Sequence, residues 1–484
     1  MASKLEQTFP LKLLVDRKKS CVVMAEASKD FIETLFSFLT LPLGTIIRLL
    51  SKNKLNGHQE AKVGCINNLY NSVENATDEV FWNAICKQML LRPRNPCEAL
   101  CRKLKLNVDD NEPTRSFICS NHCKRSNSLL SAFSGVTCIK CGNPMDKEPK
   151  IMVNDSSSEV THRREDGVFV KGEAMYLIFD NLKVLQSSPR IFVKELVQLG
   201  YKDFNNLTEI YQNVGLKEIL ELLKQALTSK TVLSYLDVFF ANGFSKGMST
   251  YSPKIGQTIN HGRSDYYRNL KVTVSKSKKK ILHAEAEEDF VDFLLSFLTA
   301  PLGSVLNVLD GNASLGCMDN LYDSVKDLNS SWFFTEKIVT RHPLLNPHVA
   351  PQFGFKKWQP LQIRETCDYK YGYISGLLIP KSLIDMNTQF YEPRSPNGQK
   401  EVGFVRRPSV FVVWDDLHVI PMANASSISF MQKMNVPFDD LEEYVIRIGS
   451  AEALNLLGAS LTTNAALTEG LFYLLEMPNQ DARA

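Results

Sequence analysis

The sequence predicts an α+β protein: two homologous α+β domains in tandem, the first with a small cysteine-rich insertion. Three observations predict it. Four blocks recur in the same order, strand-period and helix-period segments fall in separate runs, and two closely spaced cysteine pairs occur in one copy only. Segregated runs of strands and helices point to α+β rather than to an alternating α/β sheet.

The repeat is read directly. Leu11–Leu50 returns as Leu270–Leu309, Gly64–Val73 (GCINNLYNSV) as Gly316–Val325 (GCMDNLYDSV), Phe169–Val184 as Phe404–Val419, and Gly215–Leu233 as Gly449–Leu467. The unit is about 230 residues, far longer than the roughly 20–50 residues of solenoid or propeller repeats, so each copy is expected to fold as a domain with its own core. The expected organisation is a first repeat over 1–241, a linker over 242–268 and a second repeat over 269–484. The linker assignment rests on the Gly, Ser, Pro and Asn of NGFSKGMSTYSPKIGQTINHGRSDYYR, which has no counterpart inside either copy.

Each copy opens with a hairpin pattern. Leu11, Leu13 and Val15 alternate with their neighbours, Arg17–Ser20 turns the chain, and Cys21–Ala25 returns. The lysines of Ser275–Lys280 occupy the equivalent turn, so they read as a solvated loop tip. A helix follows, with Phe31, Leu35, Phe38 and Leu39 on one stripe, matched by Phe290, Leu294, Phe297 and Leu298. Glu26, Asp30 and Glu33, and in copy two Glu285, Glu287, Glu288, Asp289 and Asp292, crowd the helix start, where the backbone dipole favours negative charge. Pro42 and Pro301 should end or kink this helix. A second helix is expected around Asn67–Val73. The late blocks read as a buried strand (Met175–Phe179; Val410–Trp414), a turn, a short strand and a closing helix through Leu216–Leu227 or Ala451–Leu461.

Composition narrows the class. A net charge of +3 over 484 residues exerts no global pull on nucleic acid or anionic membrane. Phe293–Leu309 is apolar but broken by Pro301 and Gly303, and reads as a core helix rather than a membrane span. The first residues lack an apolar signal core and a small-residue cleavage site, so the expectation is an intracellular protein, cytoplasmic or nuclear and not secreted. Nine of the eleven cysteines lie in the first copy, and in such a compartment thiols or metal ligands are favoured over disulfides.

Within FICSNHCKRSNSLLSAFSGVTCIKCGNPMD, Cys119 and Cys123 are spaced C-x3-C and Cys138 and Cys141 C-x2-C, with 14 residues between the pairs. Four thiolates on two such turns can close a tetrahedral Zn²⁺ site, the arrangement of a zinc ribbon, here over 117–145. Gly142 and Pro144 suit a tight turn that aims backbone N–H groups at sulfur. His122 could replace one thiolate, and free or redox-active thiols are the competing reading. All four positions are thiols with no open coordination place, so one structural rather than catalytic zinc per chain is expected. Cys97 and Cys101 lie in a helical stretch and read as packing residues. Copy two has Cys367 followed by Tyr369, Tyr371 and Tyr373 at strand period, which reads as sheet packing rather than a base-stacking platform.

The phosphate-loop, G-x-S-x-G, H-E-x-x-H and kinase signatures are absent from the sequence, so the reading leans away from an enzyme without excluding one. AEASKDFIETLFSFLTLPLGTIIRLL, GCINNLYNSV, the CSNHC and CIKCG pair and GLKEILELLKQALTSKTVL together resemble a plant family of domains of unknown function, numbered 674. The resemblance spans nearly the whole chain. It implies a land-plant protein, usually duplicated, with no established activity and no catalytic residues to carry over. The functional expectation is a non-enzymatic protein-interaction module with a structural zinc in the first repeat, binding protein partners and no membrane. Nucleic-acid binding through the ribbon, helped by Lys124, Arg125 and Lys140, is the alternative, and an enzyme with an unrecognised site the third reading.

Overall fold

The computed structural model describes residues 7–52, 62–115, 117–121, 129–131, 133–138, 141–148, 167–236, 267–328, 343–350, 358–363, 373–374, 377–378, 389–390, 403–422, 432 and 436–476. The expected linker, 242–268, therefore lies outside the described residues except at its last two positions.

In the first half the chain runs through β1 (Phe9–Asp16), β2 (Cys21–Ser28), α1 (Lys29–Ser37), α2 (Leu43–Lys52), α3 (Ile66–Asn75), α4 (Ala84–Leu91) and the single turn α5 (Glu98–Cys101). Short strands β3 (Ile118–Cys119), β4 (Leu129–Leu130), β5 (Val136–Thr137) and β6 (Pro144–Lys147) follow. Then come β7 (Met175–Phe179), β8 (Val184–Gln186), α6 (Pro189–Gln198), β9 (Leu207–Val214) and α7 (Leu216–Thr228). The second half holds β10 (Arg268–Ser275), β11 (Lys280–Glu287), α8 (Glu288–Thr299), α9 (Leu302–Val308) and α10 (Met318–Asp327). After the two-residue strands β12 (Tyr373–Ile374), β13 (Leu377–Leu378) and β14 (Gln389–Phe390) it closes with β15 (Val410–Trp414), β16 (Val419–Pro421) and β17 (Leu441–Ile448). The last helices are α11 (Ser450–Thr462), α12 (Ala466–Leu471) and α13 (Tyr473–Glu476).

Antiparallel sheets with helices gathered beside them make this an α+β fold. One five-stranded sheet has the order β8-β7-β2-β1-β9 and the other β16-β15-β11-β10-β17, which is the same order when the elements are matched along the chain. The register repeats in detail. Both opening hairpins slip at the same place, between Leu14 and Val15 and between Thr273 and Val274. Ser20 and Lys279 take positive φ at the two hairpin turns. The predicted stripe is buried in both halves: Phe31 is 0% and Phe290 3% exposed. Pro42 and Pro301 each separate one helix from the next, because neither can donate a backbone hydrogen bond. Phe293–Leu309 is thus two helices, and among the described residues no helix is long and apolar enough to cross a membrane.

The two halves pack against each other. One continuous cluster of buried apolar side chains runs from Phe9 to Leu474 through both halves. Each half sends a helix into the other. The Cys65 N–H donates to the Ser460 carbonyl at the end of α11 (2.7 Å), and the Cys317 N–H to the Ala226 carbonyl in α7 (2.7 Å). Asn68 donates its amide to the Asp416 carbonyl (3.0 Å), and Asn320 to the Asn181 carbonyl (2.9 Å). The Ser72 hydroxyl accepts from the Val419 N–H (3.0 Å), and the Ser324 hydroxyl from the Val184 N–H (2.9 Å). At the centre Pro42 bridges Pro301, with Leu43 N–H to the Ala300 carbonyl (3.0 Å) and Leu302 N–H to the Leu41 carbonyl (2.9 Å). In an antiparallel pair flanked this way the two opposed residues donate nothing to each other, so proline fits at both positions.

Glycine makes the exchange possible at one point on each side. Gly64 and Gly316 precede the exchanged helices with φ of +47° and +58°. A Cβ there would lie 2.4 Å from the Ser460 carbonyl oxygen and 2.3 Å from that of Ala226. Any side chain would therefore both strain the backbone and push the helix out of its seat.

The halves differ on the outer faces of their sheets. In the first, Leu14, Met24, Leu177 and Phe179 form a second apolar cluster, covered by Leu196, Ile191 and Phe192 of α6. In the second half Thr273, His283 and Trp414 stand at the positions of Leu14, Met24 and Phe179.

Candidate metal centre

The cysteine-rich segment is built on a three-stranded sheet, β3-β6-β5. Cys119 lies in β3 with its Cα opposite Met145, and Met145 also faces Val136 of β5. Between β5 and β6 the chain makes a tight turn: the Gly142 N–H donates to the Cys138 carbonyl (2.8 Å) and the Cys138 N–H to the Asn143 carbonyl (2.8 Å). Gly142 reaches φ +75° to make it. The turn so directed presents Cys138 and Cys141 on the same side as Cys119.

The result is a cluster. The sulfurs of Cys119, Cys138 and Cys141 all lie within 4.8 Å of one another, and those of Cys119 and Cys141 are 3.2 Å apart. Cys119 and Cys138 are buried and Cys141 is exposed. Around a tetrahedral zinc with Zn–S of about 2.3 Å, neighbouring sulfurs sit about 3.8 Å apart. Three thiols already gathered to that scale fit a metal with small adjustment, and these three residues could hold one. Cys123, the fourth expected ligand, and His122 lie outside the described residues, as do Lys124, Arg125 and Lys140.

The Gly142 N–H closes the turn onto the Cys138 carbonyl. Asn143 reaches a sulfur of the cluster, its side-chain amide donating to Cys141 at 3.5 Å. Sequence reading passes over Asn143, whose only signal is its place in the turn after the second pair. Residues 129–131, between the two pairs, are held by strand pairing. Phe117 and Ser131 exchange backbone hydrogen bonds of 2.7 and 2.9 Å, and β4 pairs in parallel with β14 of the second half, Gln389 opposite Leu129 and Phe390 opposite Leu130.

Cys65, Cys97, Cys101 and Cys317 behave as packing residues. Cys97 and Cys101 are buried, with Cys101 3.5 Å from the Thr40 hydroxyl. Burial pushes the Cys101 thiol up to about 12 and that of Cys97 well above its usual range. Cys65 and Cys317, at the heads of the exchanged helices, donate to the Thr463 (3.0 Å) and Ser229 (3.1 Å) carbonyls across the junction. Burial raises both to about 12, so they are poor nucleophiles and poor ligands. In the second half, Cys367, Tyr369 and Tyr371 lie outside the described residues, and Tyr373 falls in β12.

Fold and cluster together define an α+β protein of paired antiparallel sheets that carries a three-thiol cluster able to hold a metal ion. A family described as protein of unknown function (DUF674) matches residues 5–451, and the chain belongs to that family. No curated protein matches the chain, and no solved structure does.

Proposed function

We propose that this chain is a non-enzymatic protein-binding module whose first half holds one structural zinc through Cys119, Cys123, Cys138 and Cys141. The observation that carries the metal reading is the convergence of Cys119, Cys138 and Cys141 within 4.8 Å on a three-stranded sheet. Cys123, the second member of the C-x3-C pair that begins at Cys119, supplies the fourth thiolate. With four thiolates the tetrahedron is closed and no coordination place is left for substrate, which makes the metal a structural one.

The protein-binding reading is supported by α6. Its inner side covers the outer face of the first sheet, while Val193 and Val197, one turn apart, are 54% and 63% exposed. Leu199 and Phe204 beyond it are exposed as well, and Phe204 stacks on Phe192 with ring centroids 6.4 Å apart. An apolar surface of this kind marks contact with another protein more often than isolated exposed residues do.

Two measurements test the reading. Purified protein expressed with zinc and reductant should contain close to one zinc per chain; Cys138→Ser should lose it and Cys97→Ser should keep it. A metal-free wild-type chain would end the zinc reading. For the surface, Val193→Glu with Val197→Glu should lose a protein partner recovered by the wild type while keeping its melting temperature. Recovery of nucleic acid instead, with steeply salt-dependent binding, would replace the protein-binding reading.

A further inference from the structure

The junction between the halves is self-complementary. Four polar contacts made by the α3 segment on the second half have counterparts made by the α10 segment on the first: a cysteine N–H and thiol to backbone carbonyls, an asparagine amide to a turn carbonyl, a serine hydroxyl to an edge-strand N–H. Pro42 and Pro301 face each other at the centre. This is the pattern of a two-fold, isologous interface, in which the same patch serves both partners. Within one chain it is closed by the connection between the halves, and nothing in the contacts themselves distinguishes a half of the same chain from the equivalent half of another.

We propose that this junction is an interaction surface whose partner is a second copy of this chain, the two chains exchanging halves so that the first half of one pairs with the second half of the other. The exchange forms no new contact type and breaks none, so its equilibrium is set by chain concentration against the effective concentration the connection imposes. For a flexible connection that is of millimolar order. Refolding at about 0.2 mM should therefore place on the order of a tenth of the chains in exchanged pairs.

The central bridge supplies the test. Opposed residues in such an antiparallel pair have Cα atoms about 4.5 Å apart, within the range a disulfide spans. Full-length Pro42→Cys and full-length Pro301→Cys are unfolded, mixed, refolded together under mild oxidation and run without reductant. The expected result is an adduct of twice the 54.7 kDa chain mass that appears only in the mixture. The double variant Pro42→Cys/Pro301→Cys, refolded at low concentration, should close within one chain and so shows that the pair can form. Folded monomers of both single variants without adduct, while the double variant closes, would overturn the proposal. An adduct formed by Pro42→Cys alone would overturn the pairing of unlike halves, and failure of the double variant to close would overturn the bridge on which it rests.

Discussion

Glu33 looks in sequence like one more acid at a helix start, yet it is 3% exposed and accepts from the N–H groups of Val168, Phe169 and Val170 at 2.5, 2.7 and 2.9 Å. Asp292 does the same for Phe404 and Val405, at 2.7 and 3.0 Å, with Arg407 beside it at 3.2 Å. These carboxylates clamp α1 and α8 to distant chain, a role that helix-dipole reasoning does not reach. Gly64→Ala, or Gly316→Ala, should destabilise the protein by more than about 1 kcal/mol in denaturant melts, since the native φ is incompatible with a side chain. Two buried groups give opposite pH dependences. His283 is 5% exposed, hydrogen-bonded to Thr273 at 3.2 Å and packed on Trp414, with Glu285, Glu443 and Lys271 nearby; burial lowers its pKa. The unfolded chain then binds the proton more readily, so the stability tied to His283 is present above about pH 6.5 and is lost as pH falls below it. His283→Met, the residue of the first half, should flatten that acid limb of a stability–pH curve. Asp109 is pushed by burial to about 6. Its contribution is fullest below the unfolded carboxylate value near 3.9 and is lost as pH rises through about 6. Asp109→Asn should therefore stabilise at pH 7 and lose that advantage near pH 4.

Elements show where local pattern suffices. Helices broken at Pro42 and Pro301, the stripe on α1 and α8, and the strands Met175–Phe179 and Val410–Trp414 follow from spacing and from proline's missing donor. The edge strands β9 and β17 are not signalled by the sequence, because their side chains are largely half-buried or exposed and carry little apolar contrast. Edges β8 and β16 are protected by the exchanged helices: Ser324 and Ser72 occupy N–H groups that would otherwise invite pairing with another chain. Phe31→Ala should cost roughly 3–5 kcal/mol, as removal of a buried aromatic usually does. Because Phe31 and Phe290 belong to one cluster, the expected calorimetric result is a shift of the whole transition. Movement of one of two resolved transitions would contradict a shared core.

At the scale of the whole molecule the shared core predicts a single cooperative melt, and a chain cut within 242–266 by an engineered protease site should still elute as one particle. Chelation should loosen the segment from Cys119 to Cys141 and its pairing with β14 without unfolding the five-stranded sheets, since no strand of those sheets comes from that segment; amide exchange confined to that segment is the expected readout. The sequence alone determined the α+β class, the internal repeat, the paired helices with their buried stripe and the cysteine spacing, because each depends on neighbours within a few residues or on direct comparison of two segments. Tertiary structure decided which surfaces met. The helices α3 and α10 carry apolar faces that satisfy the same periodicity whether they pack on their own sheet or on the other one. Only the three-dimensional fit places them across the junction, with glycine at the crossing and cysteine, asparagine and serine reaching carbonyls and N–H groups of the opposite half.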